Sequence, residues 1–256
     1  MHGPASSLCQ ALVDRLPLVS AIHWHDEVTS TNALLIQDAT TTPTGTVHVA
    51  DVQTAGRGRR GRNWYAPPGT SLMLSILLRP GLPRASWPLL TLMAGSALIQ
   101  ACRLVIPDDP ARLALKWPND LLLDGVKAAG ILTESSDNAV VMGIGINTDW
   151  RSVQVPAGVQ ATSLAHATGG DIDRWQLLDH VLGHLDTHYL QAQADPGGVV
   201  RRYIPDCATL GSEVTAHATP PVKGRAVGLT PDGHLRIRTS DGRERVVTAG
   251  DVEHLR

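Results

Sequence analysis

The succession of strand patterns in the middle of the chain is the feature that most constrains its fold. Segments with the apolar or alternating pattern of strands lie at 113–116, 121–123, 127–134 and 139–146. Asp124-Gly125, between the second and the third, is typical of a hairpin turn. A doubly wound parallel sheet would need a helix between successive strands. The long helical pattern at Ser86–Val105 precedes all four, so a mostly antiparallel sheet with helices alongside is predicted.

Further elements are predicted on both sides of this region. Helical patterns lie at Ser6–Val19, Asn32–Ala39, Ile172–Gln193 and Gly197–Ile204, and Ser30 suits the N-cap of the second. Strand patterns lie at His23–Val28, Thr46–Gln53 and Ser71–Leu78. Four short strands follow Pro205-Asp206, at Ser212–Ala218, Lys223–Leu229, Leu235–Thr239 and Glu244–Thr248. They predict a small β-barrel, and therefore two domains, 1–207 and 208–256.

The composition is that of a folded protein with little net charge. Of 256 residues, 43% are hydrophobic and 18% are charged, and the formal net charge is −2. This excludes a disordered chain and gives no overall charge that would favour nucleic acid or a membrane. Three widely spaced cysteines predict free thiols in a reducing cytoplasm. The N-terminus lacks the basic segment of a signal peptide, and the uncharged stretch Ala85–Cys102 carries several polar residues, so a buried helix is expected there.

One segment is strongly basic. Between Val52 and Pro107 there are seven arginines and no acidic residue, and residues 56–62 combine four arginines with three glycines. Glycine lets backbone amides approach an anion, and arginine offers forked donors to phosphate or carboxylate. The loop is expected to repel itself when empty and to order on an anionic ligand. A solvated arginine-rich loop or an RNA-binding tract is the alternative.

Two nucleotide-binding motifs are excluded for this loop. Its glycines match GxGxxG, but the sequence Trp64-Tyr65-Ala66-Pro67-Pro68 prevents the helix that a dinucleotide-binding turn requires, and no acidic residue occurs before Asp108. The GxxxxGK pattern of a P-loop is absent from the sequence.

The central strands carry a cation and an amide that suit a ligand. Only three of the 22 basic residues are lysines, so Lys116 and Lys127 suggest a need for a compact ammonium group. Lys116 is flanked by leucines, where a partly buried cation needs an anion; a snorkelling lysine at a strand end is the alternative. Gly130 lies where a ligand can pass close to a strand. Asn147 can read a purine edge or simply form a turn.

Four motifs in this order resemble the catalytic domain of the biotin protein ligases: GRGRRGRNW, KWPND, KAAGILTE and GIGIN. The resemblance covers roughly residues 20–256. It implies an α+β fold, with a mixed sheet flanked by helices as in class II aminoacyl-tRNA synthetases, and a C-terminal SH3-like barrel. Because only about twenty residues precede the matching part, it implies the ligase-only form without the N-terminal DNA-binding domain.

The resemblance also implies two sets of binding residues. For biotin they are Ser30, Thr31, Asn32, Gln53, Gly56, Arg57, Gly58, Arg59, Lys116, Gly130 and Ile131. For ATP they are Arg59, Arg60, Arg62, Trp64, Lys116 and Asn147. Lys116, at the carboxylate and the α-phosphate, and Arg59 are the implied catalytic residues, and Trp64 would cover the adenine.

The implied reaction has two steps and uses ATP with Mg²⁺, without a dedicated metal site in the protein. Biotin and ATP give biotinyl-5′-AMP and pyrophosphate, and biotin then passes to a lysine of the biotin carboxyl carrier domain of an acyl-CoA carboxylase. Asp120 is a candidate acceptor for the amine proton. Specific nucleic-acid or membrane partners are not expected, and the chain is expected to be a cytoplasmic monomer or weak homodimer.

Two rival functions and a histidine cluster are weighed against this interpretation. A nucleic-acid-binding module would need an extended basic surface, yet the segment from Gly211 holds seven basic and six acidic residues. Lipoate or octanoate transferases of the same superfamily lack the arginine run of residues 56–62.

His180, His184 and His188 have helical spacing, but the apolar residues of that helix lie on another face, so the histidines are expected to face solvent rather than a metal.

Overall fold

The computed structural model describes residues 6–107, 109–155, 157–248 and 250–254. Within these ranges the helices are α1 (Ser6–Arg15), α2 (Thr31–Gln37), α3 (Pro88–Val105), α4 (Ala165–Thr168), α5 (Arg174–Ala194) and α6 (Pro196–Tyr203). The strands are β1 (Ala21–Val28), β2 (Thr46–Gln53), β3 (Ser71–Leu78), β4 (Leu113–Lys116), β5 (Asp120–Leu123), β6 (Val126–Ser136), β7 (Ala139–Asn147), β8 (Glu213–Ala216), β9 (Val222–Leu229), β10 (Leu235–Arg238), β11 (Glu244–Val247) and β12 (Val252–His254).

The first seven strands form one mixed sheet in the order β1-β2-β3-β7-β6-β5-β4. The β1–β2 pair is parallel and the other pairs are antiparallel. The central strand β3 is buried along its whole length because both of its faces are covered. Leu74 and Ile76 enter the main core, whereas Leu77 on the opposite face packs with Leu35 of α2. The predicted fold class is confirmed.

Helix α3 forms the centre of the helical layer and packs against α5 and α6. Pro88 starts the helix, at a position where its missing N–H is not needed. Together with the turn at Arg84–Ser86, the helix is long and apolar enough to cross a membrane by length and composition alone. However, 67% of its most apolar window is buried inside the protein. The helix therefore belongs to the core that supports the sheet.

The last five strands form a second, antiparallel sheet in the order β11-β10-β9-β8-β12. Its β9–β10 turn packs directly on the first domain. Trp117 Nε1 donates to the carbonyl of Gly233 at 2.9 Å, and a Cβ at Gly233 would lie 2.6 Å from Leu92 of α3. The N–H of Ala208 also donates to Leu115 O of β4 at 2.9 Å. These contacts hold the second sheet against the edge of the first.

Several predicted boundaries differ from the structure for local reasons. Helix α1 ends at Arg15 rather than Val19, because a residue that precedes proline is disfavoured in a helix and Pro17 follows closely. Helix α5 begins at Arg174, since the Asp173 side chain caps it by accepting from the N–H groups of Trp175 and Gln176. Strand β12 was not predicted, because three residues are too few to show an alternating pattern.

Candidate active site

A cavity of about 320 Å³ lies where α2, strands β6 and β7 and the loop after β2 meet. Its lining includes twelve of the residues predicted to bind biotin or ATP: Ser30, Thr31, Asn32, Gln53, Arg57, Gly58, Arg59, Arg62, Trp64, Gly130, Ile131 and Asn147. Gly56, Arg60 and Lys116 are not among the described residues that line it. Lys127, Ser75 and Asn119 line the cavity although the sequence analysis assigned them no ligand.

The first turn of α2 forms a polar end of the cavity. Ser30 is the N-cap of this helix, and its Oγ accepts from the N–H of Ala33 at 3.4 Å. The backbone N–H and the hydroxyl of Thr31 both face Gln53 Oε1, at 2.8 and 3.2 Å. Ser30, Thr31 and Asn32 are buried. This end can therefore recognise a small ring that carries both hydrogen-bond donors and acceptors.

Two paired glycines allow Trp64 to lie against the sheet. Gly130 of β6 pairs with Gly145 of β7. A Cβ at Gly130 would lie 3.1 Å from the Trp64 ring, and a Cβ at Gly145 would lie 2.6 Å from it. A larger residue at Gly145 would therefore force the indole away. Trp64 Nε1 is buried against the sheet and has no hydrogen-bond partner within the described ranges.

A β-bulge brings Lys127 to the same face as these glycines. The β5–β6 register shifts between Leu121 and Leu122, and Ala128 is the extra residue of β6. Side chains alternate along a regular strand, so Lys127 and Gly130 would otherwise lie on opposite faces. The Lys127 Nζ instead lies 3.1 Å from the Cβ position of Gly130.

Lys127, and not Lys116, supplies the lysine of the cavity. Its Nζ lies 2.6 Å from Asp120 Oδ1 and 5.6 Å from the centre of the Trp64 ring. Lys116 lies on the edge strand β4, one strand farther out, where its backbone is opposite Asp120 of β5. It lies near His254 of the second domain, where its charge adds to the effect of burial and lowers the pKa of that imidazole. This geometry favours Lys127 over Lys116, whose catalytic role stays a prediction.

The arginine-rich loop is folded into a short hairpin. Trp64 N–H donates to Gly56 O at 2.9 Å, and Gly58 N–H donates to Arg62 O at 2.7 Å. Arg60 and Gly61 occupy the turn, with φ of 57° and 71°. Gly56 lies at the base of the hairpin, where a Cβ would be 3.1 Å from Trp64 O. This places Gly56 outside the cavity lining, as part of the hairpin closure.

An acidic residue of the second domain offsets the charge of this hairpin. Asp251 pairs with Arg59 at 3.3 Å and with Arg62 at 2.6 Å. Burial lowers the pKa of the Arg59 guanidinium, and the Asp251 carboxylate opposes that shift. Arg60 turns away from the cavity and donates to the carbonyl of His217. The Asp251 carboxylate therefore offsets the repulsion between arginines that was predicted for the empty loop.

Asn147 presents one acceptor to the cavity. Its Nδ2 donates to Thr162 O at 2.8 Å, and its buried Oδ1 has no partner in the part of the chain that the structure describes. The two-bond recognition of a purine edge, predicted from the sequence, would need both atoms. With Nδ2 already engaged, Oδ1 is suited to accept from a single amino group.

The histidines of α5 do not all face solvent as predicted. His188 is 4% exposed, and its Nε2 lies 3.2 Å from Gln100 Oε1. Across residues 6–254, apart from the three positions that are not described, no group of three His, Cys, Asp or Glu side chains is arranged to hold a metal ion.

Comparison with known proteins assigns both parts of the chain. The biotin/lipoate A/B protein ligase family matches residues 25–149, and the biotin protein ligase C-terminal domain matches residues 209–255. The chain is 36% identical over 234 residues to the biotin–[acetyl-CoA-carboxylase] ligase of Mycobacterium tuberculosis, covering 89% of this chain and 86% of that protein. This chain belongs to the biotin protein ligase family.

Other biotin protein ligases agree over most of the chain. The bifunctional ligase/repressor BirA of Bacillus spizizenii is 34% identical over 221 residues, which are 82% of this chain and 66% of that protein. The structure of the Aquifex aeolicus biotin protein ligase in complex with biotin and ATP superposes with a TM-score of 0.82 at 29% identity, covering 92% of this chain and all of that one. The resemblance predicted from the four motifs is confirmed.

Several residues at or beside the site of this biotin protein ligase were not assigned from the sequence, among them Lys127, Ser75, Glu134 and Asp251. Lys127 could have been assigned from the sequence, because it is the first residue of the KAAGILTE motif, which also contains Gly130. Ser75 lies inside an apolar strand, which gives no sign of a polar role. Glu134 is the last residue of the KAAGILTE motif, of which only Gly130 and Ile131 were assigned to the site. Asp251 is far from the arginine hairpin in the sequence, so its pairing with Arg59 follows only from the fold.

Proposed function

We propose that this chain attaches biotin to a lysine of a biotin carboxyl carrier domain in two ATP-dependent steps. One observation carries the proposal: a single cavity joins a polar end at Thr31 and Gln53, the Lys127–Asp120 pair, and a hairpin of arginines. Relatives named biotin–[acetyl-CoA-carboxylase] ligase support the same activity.

The polar end suits the ureido ring of biotin. That ring has two N–H donors and one carbonyl acceptor, which complement the hydroxyls of Ser30 and Thr31 and the amide of Gln53. Gly130 and Ile131 line the wall beside it, where a close and apolar surface accommodates the rest of the molecule. Arg57 and Gly58, at the start of the hairpin, remain assigned to the carboxylate end.

In the first step a biotin carboxylate oxygen attacks the α-phosphorus of ATP, which binds as its Mg²⁺ complex. The bond to the bridging oxygen breaks and pyrophosphate leaves. No protein nucleophile is needed, because positioning and charge neutralisation lower the barrier. Lys127 holds the two anions together, and Arg59 and Arg62 neutralise the phosphates. One such cation contributes on the order of 3–4 kcal/mol to the transition state.

The nucleotide base is assigned to Trp64 and Asn147. Trp64 offers an aromatic surface inside the cavity, and Asn147 Oδ1 is an unused acceptor for the adenine amino group. Arg60 lies on the outer side of the hairpin, where it donates to the carbonyl of His217. We assign it to the phosphates of bound ATP, which it can reach only by leaving that contact.

In the second step the carrier lysine attacks the carbonyl carbon of the mixed anhydride. The amide bond forms, the bond to the phosphate oxygen breaks, and AMP leaves. The attacking amine must first lose a proton. Asp120, whose Oδ1 lies 2.6 Å from Lys127 Nζ, is the proposed acceptor.

ATP–pyrophosphate exchange tests the first step. We expect exchange that requires biotin and stops when biotin is replaced by lipoate or octanoate. Transfer is tested with a biotin carboxyl carrier domain and with the same domain in which the target lysine is alanine; only the former should become labelled, and only with ATP and Mg²⁺. Exchange without biotin, or exchange supported by lipoate instead of biotin, would overturn the proposal.

A further inference from the structure

A chain of hydrogen bonds connects the polar end of the cavity to Glu134. Thr31 Oγ1 lies 2.6 Å from Ser75 Oγ, and Ser75 Oγ lies 2.5 Å from Asn32 Oδ1. Asn32 Nδ2 in turn lies 2.8 Å from Glu134 Oε2. Thr31, Asn32 and Ser75 are at most 4% exposed. Because little of these three side chains is exposed, their hydroxyl and amide protons are used mainly within the chain itself.

The orientation of the Asn32 amide follows from its neighbours. Its Nδ2 faces two oxygen atoms that can only accept, the carbonyl of Leu132 at 3.2 Å and the carboxylate of Glu134 at 2.8 Å. A flipped amide would set its own oxygen against both. Asn32 therefore donates towards Glu134 and presents Oδ1 to Ser75.

That orientation decides where the hydroxyl protons lie. Since Asn32 Oδ1 can only accept, Ser75 donates to it and has no second proton to give. Ser75 must then accept from Thr31, which uses the single proton of the Thr31 hydroxyl. Gln53 Oε1, an acceptor 3.2 Å from Thr31 Oγ1, competes for the same proton across a longer contact than that to Ser75. Thr31 Oγ1 is left with lone pairs and no proton for a ligand in the cavity.

The backbone leaves room for this arrangement at β7. A Cβ at Gly143 would lie 2.2 Å from Asn32 Oδ1, so any other residue would push the amide out of the chain. The glycine thus preserves the contact between Asn32 and Ser75, and with it the direction of the hydrogen bonds.

We propose that Glu134 is a positioning residue for biotin, which acts through Asn32 and Ser75 to hold the Thr31 hydroxyl as an acceptor for a ureido N–H group. The inference rests on the proposed function, because it concerns the same cavity. A buried N–H that loses water must meet an acceptor, and a hydroxyl that presented its proton instead would oppose binding. The acceptor-only carboxylate at the far end makes the chain run in one direction.

Three variants test this role through the KM values for biotin and ATP in pyrophosphate exchange. Glu134→Ala removes an acceptor from Asn32, and Ser75→Ala interrupts the chain. Each is expected to raise the KM for biotin about fivefold to tenfold, with the KM for ATP and kcat changed by less than about twofold. Glu134→Gln keeps an oxygen for Asn32 but loses the charge that faces Arg57 at 3.3 Å. It is expected to restore the KM for biotin.

The outcomes separate the hydrogen-bond chain from other roles of Glu134. If Glu134→Gln raises the KM for biotin as much as Glu134→Ala does, Glu134 acts through its ion pair with Arg57. That result would overturn the proposal. An equal rise in the KM for ATP would do the same, since it would show a general loss of structure. Should Glu134→Ala fail to fold, the same two KM values for Ser75→Ala decide. Biotin-dependent exchange by the unaltered protein tests the proposed function separately.

Discussion

Lys127 Nζ, at the lining of the candidate site, lies 2.6 Å from Asp120 Oδ1, while Lys116 is only the backbone partner of Asp120 in the strand pairing of β4 with β5. These are the only two lysines of residues 1–207, and only Lys127 forms an ion pair with Asp120 among the described residues. The bulge at Ala128 turns Lys127 towards Trp64 and the glycines, whereas β4 ends beside the second domain. The two lysines therefore form a matched pair for mutation.

Lys127→Ala is expected to abolish adenylate formation and Lys116→Ala to leave most of it. Loss of one preorganised cation where phosphate charge develops costs on the order of 3–4 kcal/mol, or a hundredfold or more in rate. Biotin-dependent pyrophosphate exchange measures both variants, with circular dichroism to confirm that each is folded. If Lys116→Ala is the inactive variant and Lys127→Ala exchanges normally, the assignment made from the sequence is right and the one made from the structure is wrong.

Gly145→Ala is expected to weaken binding of biotin and ATP by roughly tenfold or more. The new Cβ would lie 2.6 Å from the Trp64 ring, and overpacking of this kind costs about 1–3 kcal/mol. Titration calorimetry with each ligand measures the effect. Gly183→Ala is the control, since outside the adjacent backbone of α5 no described atom lies within 4 Å of its Cβ position. It should leave binding unchanged and raise stability by about 1 kcal/mol at most. Equal affinities for Gly145→Ala and the unaltered protein would show that the indole is not held as described.

Asp251→Asn is expected to loosen the arginine hairpin in the absence of ligand. The substitution removes the carboxylate that pairs with both Arg59 and Arg62. Trypsin should therefore cut within residues 57–64 faster in the variant, and biotin with ATP should slow cleavage in both proteins. Asp241→Asn is the control, because Asp241 lies in the same domain and pairs only weakly with Arg243, at 3.7 Å. Identical cleavage rates for all three proteins would count against a role for Asp251 in holding the hairpin.

The central sheet and the main helices could be predicted from the sequence. Strand β3 has the predicted bounds, Ser71–Leu78, because a largely apolar run with Gly and Pro close to its two ends leaves few alternatives. Twelve of the cavity-lining residues could also be predicted, and eight of them lie in the four motifs that carry the resemblance. Helix starts such as that of α5 were misplaced by a residue or two, where the cap and not the apolar pattern decides the boundary.

The choice between the two lysines could not be made from the sequence. It depends on one extra residue in β6, and alternation of side chains alone places Lys127 on the wrong face. Likewise, the pairing of Arg59 with Asp251 joins residues 192 positions apart, and no local pattern records it. Both features arise from register and domain packing, which are properties of the assembled sheet.

His188 is a buried imidazole that is hydrogen-bonded on one side only. Its Nε2 lies 3.2 Å from Gln100 Oε1, and its Nδ1 has no partner among the residues that the structure describes. Burial, assisted by the positive charge of Arg202, lowers the pKa of His188 to about 4. A proton added at Nδ1 would find no acceptor in this setting.

Stability is therefore expected to fall as the pH falls from about 6.5 to 4. The unfolded chain takes up a proton at His188 near pH 6.5, whereas the folded protein stays neutral there until about pH 4, so the unfolded state binds more protons across this window. The loss due to His188 is on the order of 2–3 kcal/mol. Urea unfolding at pH 7, 5.5 and 4 should show a shallower loss for His188→Leu than for the unaltered protein. Burial also lowers the pKa of His48 to about 4, so His48 adds a loss of stability at low pH in both the variant and the unaltered protein. Parallel losses in the two proteins would show that His188 does not carry this dependence.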